Sequence, residues 1–110
     1  MSVTAKCLTQ GVIASNGQTT YYTATGVRTI IDKLTGYNYT GGAVTLAINL
    51  VPSGGSAAAA NLVVLKTIGA GETYTFPEIV GHTLNPGDFV STIAGAATSI
   101  VIRLSGREVS

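Results

Sequence analysis

Apolar and small polar residues alternate with a period of two along most of this chain. The clearest run is Ala43–Val51, in which Val44, Leu46, Ile48 and Leu50 fall on one face and smaller residues on the other. Successive side chains of a β-strand point to opposite faces of its sheet. The run therefore predicts a strand with one buried face.

A second run, Thr98–Ser105, repeats this pattern with Ile100, Ile102 and Leu104 on its inner face. Strand-like sequence continues from there to Val109, so we expect the C-terminal end to be an integral strand rather than a disordered tail. Shorter runs of the same character occupy Val3–Leu8, Thr19–Thr25, Thr29–Tyr39, Leu62–Ile68, Thr73–Phe76 and Phe89–Ala94.

Turn-forming residues separate these runs, and no window shows the three-and-four spacing of an amphipathic helix. Glycine and asparagine tolerate positive φ, and proline fixes φ, so such clusters reverse the chain. About eight short strands with regular turn signals predict an all-β protein: a single β-sandwich spanning residues 1–110, of jelly-roll or immunoglobulin-like type. The pattern does not give the strand order. The turn clusters are Asn16-Gly17, Thr40-Gly41-Gly42, Gly69-Ala70-Gly71 and Asn85-Pro86-Gly87-Asp88.

Two segments depart from the alternation. Residues 52–60 contain no large side chain, which favours a flexible loop over a contact loop, with a single helical turn at Ala57–Ala60 as an option. In the other segment, strict alternation places Asp32 on the face of Ile30 and Leu34. Either a β-bulge or a buried, hydrogen-bonded carboxylate would resolve that conflict.

Charge is scarce in this sequence. Only 10% of the residues are charged, against about 25% in ordinary soluble domains. The exterior must therefore consist largely of Thr, Ser, Asn, Gly and Ala. Because little charge desolvation opposes contact, such a surface is easily buried against a neighbour. The composition indicates a protein that works in an assembly.

Composition also argues against several classes of function. No apolar stretch approaches the ~18 residues that span a bilayer, and the N-terminus lacks the apolar core of a secretory signal. Cys7 is the only cysteine, which excludes an intramolecular disulfide and a cysteine metal cluster. The net charge is +1 with the basic residues scattered singly, so we expect neither a nucleic-acid partner nor a membrane partner.

Candidate catalytic groups are few. We interpret His82 as a strand-end histidine bonded to a backbone carbonyl, because no second histidine and no Gly-x-Ser-x-Gly turn accompany it. Glu72 and Glu78 are six residues apart, about 20 Å along a strand, which is too far for paired carboxylates acting on one bond. No calcium or phosphate loop is present. We expect no enzyme, no metal and no cofactor, with a small esterase or lyase as the residual alternative.

Tyrosine is the one abundant aromatic residue. Tyr37 and Tyr39 would share one face of a strand, where they could stack on a sugar. We favour a structural role for them at core edges or in an interface, since tyrosine combines a large contact area with a hydroxyl that can stay wet.

Four segments together resemble short virion proteins of tailed bacteriophages, over about two thirds of the chain. Members of that group resemble capsid decoration or cement proteins, small sandwich domains placed in many copies over junctions between major capsid subunits. Similar domains also serve in tails and fibres. The segments are Val44–Gly55, Gly69–Tyr74, Leu84–Asp88 and Arg103–Glu108.

The resemblance implies a homo-oligomer, a trimer or dimer, that binds the major capsid protein on the capsid exterior after synthesis in the host cytoplasm. The alternative is a tail or fibre module that binds host-surface carbohydrate through Tyr37 and Tyr39. Unpaired strand edges, at Val3–Leu8 or Phe89–Ala94, would make the first contacts. The residues predicted to face the partner are Val3, Lys6, Leu8, Arg103 and Arg107.

Overall fold

The computed structural model describes residues 2–110, which form nine β-strands and two 3₁₀ turns. The 3₁₀ turns are Ala59–Asn61 and Pro77–Ile79. The strands are β1 (Val3–Ile13), β2 (Thr19–Thr23), β3 (Arg28–Asn38), β4 (Val44–Val51), β5 (Leu62–Ile68), β6 (Thr73–Tyr74), β7 (Thr83–Leu84), β8 (Phe89–Ala94) and β9 (Ile100–Val109).

The strands form two antiparallel sheets that pack face to face. Sheet I has the order β1-β9-β3-β6, with β7 also paired to β3, and sheet II has the order β2-β8-β4-β5. Apolar side chains from both inner faces form one core, so the predicted all-β sandwich is confirmed. The largest fully buried members of the core are Ile31, Leu34, Leu46, Ile48, Ile68, Phe76, Ile79, Leu84, Ile100, Ile102 and Leu104.

Strand β4 confirms the predicted alternation, with Val44, Leu46 and Ile48 buried in the core. Its outward residues Ala47 and Asn49 are also largely buried, at 8% and 5% exposure. The reason is that β4 is a central strand, flanked by β5 and β8.

The loop that follows β4 is anchored by asparagine side chains. The Asn49 amide donates to the Ala58 carbonyl oxygen (3.1 Å) and to Asn61 Oδ1 (2.8 Å). The 3₁₀ turn lies at Ala59–Asn61 and therefore ends one residue later than the predicted turn. Neither asparagine lies within residues 52–60, so the small-residue segment alone gave no sign of this anchoring.

Bulges account for the irregular parts of sheet I. Strand β1 continues past the predicted Leu8 to Ile13, because register shifts after Cys7 and after Thr9 reset its alternation. A bulge between Ile31 and Lys33 turns Asp32 out to solvent. That bulge is the first of the two solutions that the sequence offered for Asp32.

Asn38 links the two sheets at one end of the sandwich. It is fully buried, and its amide donates to the Ile68 carbonyl oxygen (2.9 Å) at the end of β5 and to that of Gly42 (2.8 Å). Its Oδ1 accepts from the Thr40 backbone N–H (3.0 Å) and hydroxyl (2.7 Å). One side chain thus satisfies four polar groups where β3 leaves sheet I.

Candidate functional site

The outer face of sheet II, here called the uncharged face, carries no ionised side chain. Among the four strands of this sheet the only charged residue is Lys66, which is paired with the inward-facing Leu46. The outward positions follow from the strand register and are Thr20, Thr23, Thr45, Ala47, Asn49, Val51, Leu62, Leu65, Thr67, Phe89, Ser91 and Ile93.

A row of apolar side chains crosses the middle of the uncharged face. Leu65, Ala47 and Ile93 are direct cross-strand neighbours on β5, β4 and β8. Leu65 is 63% exposed and Ile93 36%, and the nearby Leu62 is 42% exposed. Between this row and the loop residues Ala57–Ala59 runs a shallow groove of about 230 Å³. The exposed Leu65, Ile93 and Leu62 side chains contribute little to the core, and they would become buried on contact with another surface.

The outer face of sheet I is different, because the register of β3 and β9 brings basic residues together there. Arg28 lies opposite Val109, Arg107 opposite Ile30, Lys33 opposite Ser105, and Arg103 opposite Thr35. The four basic side chains are exposed and alternate between the two strands. We call Arg28, Arg107, Lys33 and Arg103 the basic stripe. Basic residues that are scattered along the chain are therefore gathered on one face of the fold.

Asp32 is the only carboxylate among these outward residues. The Arg107 guanidinium donates from Nε to both Asp32 carboxylate oxygens (3.1 Å) and from Nη2 to Oδ1 (2.9 Å). This fork raises the pKa of Arg107 above its ordinary value through the hydrogen bond and charge of Asp32. Within residues 2–110, Arg28, Lys33 and Arg103 make no ion pair.

Tyr37 and Tyr39 lie at one end of the basic stripe. Tyr37 is opposite Val101, one outward position beyond Arg103, and Tyr39 is two residues further along the chain. Their side chains are 42% and 40% exposed. Neither phenol hydroxyl has a hydrogen-bond partner within residues 2–110. Both tyrosines are exposed on either side of the buried Asn38, at which β3 ends.

The remaining sequence-predicted contact residues lie on the edge strand β1. The other predicted edge, Phe89–Ala94, was wrong, because β8 is paired with β2 on one side and with β4 on the other. Val3 is 56% exposed at the start of β1. The Lys6 ammonium bonds Glu108 Oε1 at 3.3 Å. Leu8 packs against the core and covers Gly106. The Leu8 side chain thus serves the fold, whereas Arg103 and Arg107 belong to the basic stripe.

Glu108 also receives a hydrogen bond from the opposite sheet. The Tyr22 hydroxyl of β2 lies 2.6 Å from Glu108 Oε2 and 2.7 Å from Thr29 Oγ1. The Tyr22 hydrogen bond, with help from Lys6, holds the pKa of Glu108 below 4.5. Burial, followed by the contact with Glu108, raises the pKa of Tyr22 to about 12. This network ties β1, β2, β3 and β9 together.

His82 and Asp88 line an open cleft of about 440 Å³ beside β7, which pairs with Thr29 and Ile30 of β3. Asp88 Oδ1 accepts from the Ser53 backbone N–H (2.9 Å), and Oδ2 accepts from that of Asn85 (2.9 Å). The carboxylate therefore holds two turns in place and does not orient the imidazole. The backbone carbonyl of His82 accepts from Ile31 N–H, whereas its exposed side chain makes no hydrogen bond within the described residues. The predicted imidazole–carbonyl bond was therefore wrong.

Residues 2–110 contain no group of three His, Cys, Asp or Glu side chains placed to hold a metal ion. They also contain no helix long and apolar enough to cross a membrane. Comparison with family models, with curated proteins and with solved structures finds no match. The candidate sites are accordingly the uncharged face and the basic stripe, which lie on opposite sides of the sandwich.

Proposed function

We propose that this chain is a capsid decoration protein of a tailed bacteriophage, a non-enzymatic homo-oligomer that binds the outer capsid surface across junctions between major capsid subunits. The sequence resemblance supports the virion setting. The uncharged face supports the assembly role, and the observation that carries it is the row formed by Leu65, Ala47 and Ile93.

Burial of that row against a shell or a second copy removes apolar surface from water and desolvates no charge. Each contact of this size is modest. A capsid presents many equivalent sites, and linked subunits bind them with a high effective concentration, so modest contacts add up to a firm hold. Because the protein would bind the closed shell and not the opened one, its binding raises the free energy needed to open the shell.

Free strand edges extend the same surface. Strand β5 is an edge of sheet II and β1 an edge of sheet I, and the first residues of β1, Val3–Lys6, are exposed. Unpaired N–H and C=O groups along such edges can pair with a strand of another chain. Edge pairing would fix the orientation of the oligomer while the uncharged face supplies most of the buried area.

The test is co-sedimentation of the purified chain with expanded capsids of the phage that encodes it, alongside light scattering of the chain alone. The variants Leu65→Asp and Ile93→Asp place a charge in the row and should reduce bound copies roughly tenfold, since an unpaired carboxylate would have to be desolvated. Val80→Asp is the matched control, because Val80 is 48% exposed but lies outside both sheets. A monomer that does not bind expanded capsids would overturn the proposal.

A second candidate function is favoured by Tyr37 and Tyr39, the two exposed tyrosines beside the basic stripe. A tail or fibre module would use them to bind host-surface carbohydrate. A glycan-array signal that is lost in Tyr37→Ala, combined with no capsid binding, would select this function over decoration.

A further inference from the structure

We propose that the basic stripe on the outer face of sheet I is a binding site for a linear anionic polysaccharide, with Tyr37 and Tyr39 receiving a sugar ring at one end. This site is separate from the uncharged face and goes beyond the assembly role. Its occupation neither requires nor prevents capsid binding.

The stripe has the geometry of a track. Along β3 and β9 the residues of the stripe follow one another in the order Arg28, Arg107, Lys33, Arg103. Each lies about two residue positions further along the paired strands than the one before it. With roughly 3.3 Å per residue and 4.8 Å between strands, neighbouring α-carbons are about 8 Å apart along a line of about 20 Å. Long side chains can close this spacing to meet successive charges of an extended polymer.

The charge balance of the face favours an anion. Four of the six basic residues of the chain lie on it, and Asp32 is the only carboxylate beside them. Asp32 engages Nε and Nη2 of Arg107. A guanidinium has five N–H donors, so Arg107 keeps others for a ligand while its plane is held in one orientation.

The shape of the face favours a polymer over a small anion. Three clefts at the sandwich surface, among them those of about 440 and 230 Å³, include no residue of the stripe, whose side chains are all exposed. A single phosphate or carboxylate would therefore meet only exposed side chains, each worth little in water. A linear polyanion contacts several of them at once, and its binding gains from the release of counterions.

A polysaccharide fits the stripe better than a nucleic acid does. Single-stranded nucleic acid sites place aromatic side chains along a basic groove so that successive bases can stack. Here the residues between the cations are Ile30, Thr35 and Ser105, and both tyrosines lie at one end. The net charge of +1 is also far from the strongly basic balance of nucleic-acid-binding domains.

The test measures binding of a polygalacturonate oligosaccharide to the purified chain by titration calorimetry in 20 mM and 200 mM NaCl. Oligo(dT) of equal charge and neutral dextran are the comparison ligands. We expect polygalacturonate to bind more tightly than oligo(dT), to weaken in the higher salt, and to bind roughly tenfold more weakly to the double variant Lys33→Gln/Arg103→Gln. Dextran should not bind.

Two controls separate this site from general attraction and from the assembly role. Lys66→Gln removes a cation from β5, which belongs to the other sheet, and should leave polygalacturonate binding unchanged. Leu65→Asp, which tests capsid binding, should also leave it unchanged. Tighter binding of oligo(dT), equal losses in Lys66→Gln and the double variant, or no binding of polygalacturonate would each overturn the proposal.

Discussion

The two outer faces of this sandwich are built from the same alternating pattern and differ in what fills the outward positions. On sheet I those positions hold the basic stripe and Asp32, on strands β3 and β9 of 11 and 10 residues. On sheet II they hold Thr, Ser, Asn and apolar side chains, three of them exposed, on strands of 5 to 8 residues. Seven of the eleven charged residues lie in strands of sheet I and one in a strand of sheet II.

This difference teaches that the low charge of the chain is a property of one side of the molecule. Outward residues at the centre of a sheet do little for the core, so their chemistry is free to serve contacts outside the fold. Sheet I offers ions to an aqueous or anionic neighbour. Sheet II offers a surface that loses little on dehydration.

The largest expected effect tests how tightly the long strands of sheet I are packed. A Cβ at Gly106 would lie 2.4 Å from the Ile30 carbonyl oxygen and 2.9 Å from Leu8 Cδ1. Because a backbone oxygen cannot move aside, Gly106→Val should cost more than about 3 kcal/mol of unfolding free energy. Equilibrium urea denaturation measures this. Gly11→Val is the matched control in β1, where a Cβ meets nothing within 4 Å, and an equal loss there would contradict the account.

The next prediction compares the stability lost when a buried asparagine is removed from each sheet, Asn38 from sheet I and Asn49 from sheet II. Asn38→Ala leaves the carbonyl oxygens of Ile68 and Gly42 without their donor and should cost about 2–3 kcal/mol. Asn49→Ala releases only the loop over sheet II and should cost about 1 kcal/mol. The urea midpoints of the two variants rank them. A larger loss in Asn49→Ala would mean that the loop, and not the Asn38 junction, holds the sheets together.

The Tyr22–Glu108 bond crosses between the sheets and makes stability depend on pH. Tyr22→Phe should cost about 2 kcal/mol at pH 7, because a hydrogen bond to a carboxylate is lost. In the native protein the pKa of Glu108 is lower than its ordinary 4.5. As the pH falls, Glu108 is therefore protonated in the unfolded chain before it is protonated in the native protein. The stability from this bond is therefore complete above about pH 5 and is lost as the pH falls through the lowered pKa.

Urea denaturation at pH 7 and pH 3 checks this dependence. Tyr22→Phe should lose less stability between the two values than the parent chain does, since only Lys6 remains to favour the ionised Glu108. Glu78, whose pKa is also lowered by the Tyr74 hydrogen bond, contributes equally to both proteins. An identical acid loss in parent and variant would assign the pH dependence to other groups.

Much of the sandwich could be predicted from the sequence, because a strand with one buried face alternates apolar and polar residues with a period of two. The alternation in Val44–Leu50 and Ile100–Leu104 gave the inner faces, and the misplaced Asp32 gave a bulge as one solution. Strand ends at bulges were harder to predict. A bulge such as that beyond Cys7 breaks the period of two and hides the continuation of β1.

The two faces could not be predicted, because they depend on which strands are neighbours. Arg28 and Arg107 are 79 positions apart in the chain and one outward position apart in the fold. Leu65, Ala47 and Ile93 lie on three separate strands. Local patterns state which side of a strand a residue occupies, but not which strand lies beside it.

Smaller changes in stability are expected at two buried threonines, one on each of the facing sheets. Thr29 of sheet I bonds the Tyr22 hydroxyl, whereas Thr92 Oγ1 on the inner side of sheet II is buried with no hydrogen-bond partner in residues 2–110. Thr92→Val replaces an unpartnered hydroxyl with a methyl group of similar size and should raise the stability by about 1 kcal/mol. Thr29→Val, its matched control, should lower it by about the same amount. Thermal or urea denaturation measures both, and a loss in each variant would show that Thr92 is satisfied in solution.

The smallest expected effect comes from the ions of the basic stripe. Arg107 and Asp32 are 46% and 41% exposed, and solvent screens their attraction almost completely. Arg107→Gln, Asp32→Asn and Arg103→Gln should therefore leave the urea midpoint at pH 7 unchanged, although the first two variants break a well-formed fork and the third breaks nothing. A drop in Arg107→Gln as large as that in Tyr22→Phe would show that the fork holds β3 to β9. Equal midpoints in all three variants would instead mean that folding does not require these ions, which leaves the basic stripe free to serve the proposed polysaccharide binding.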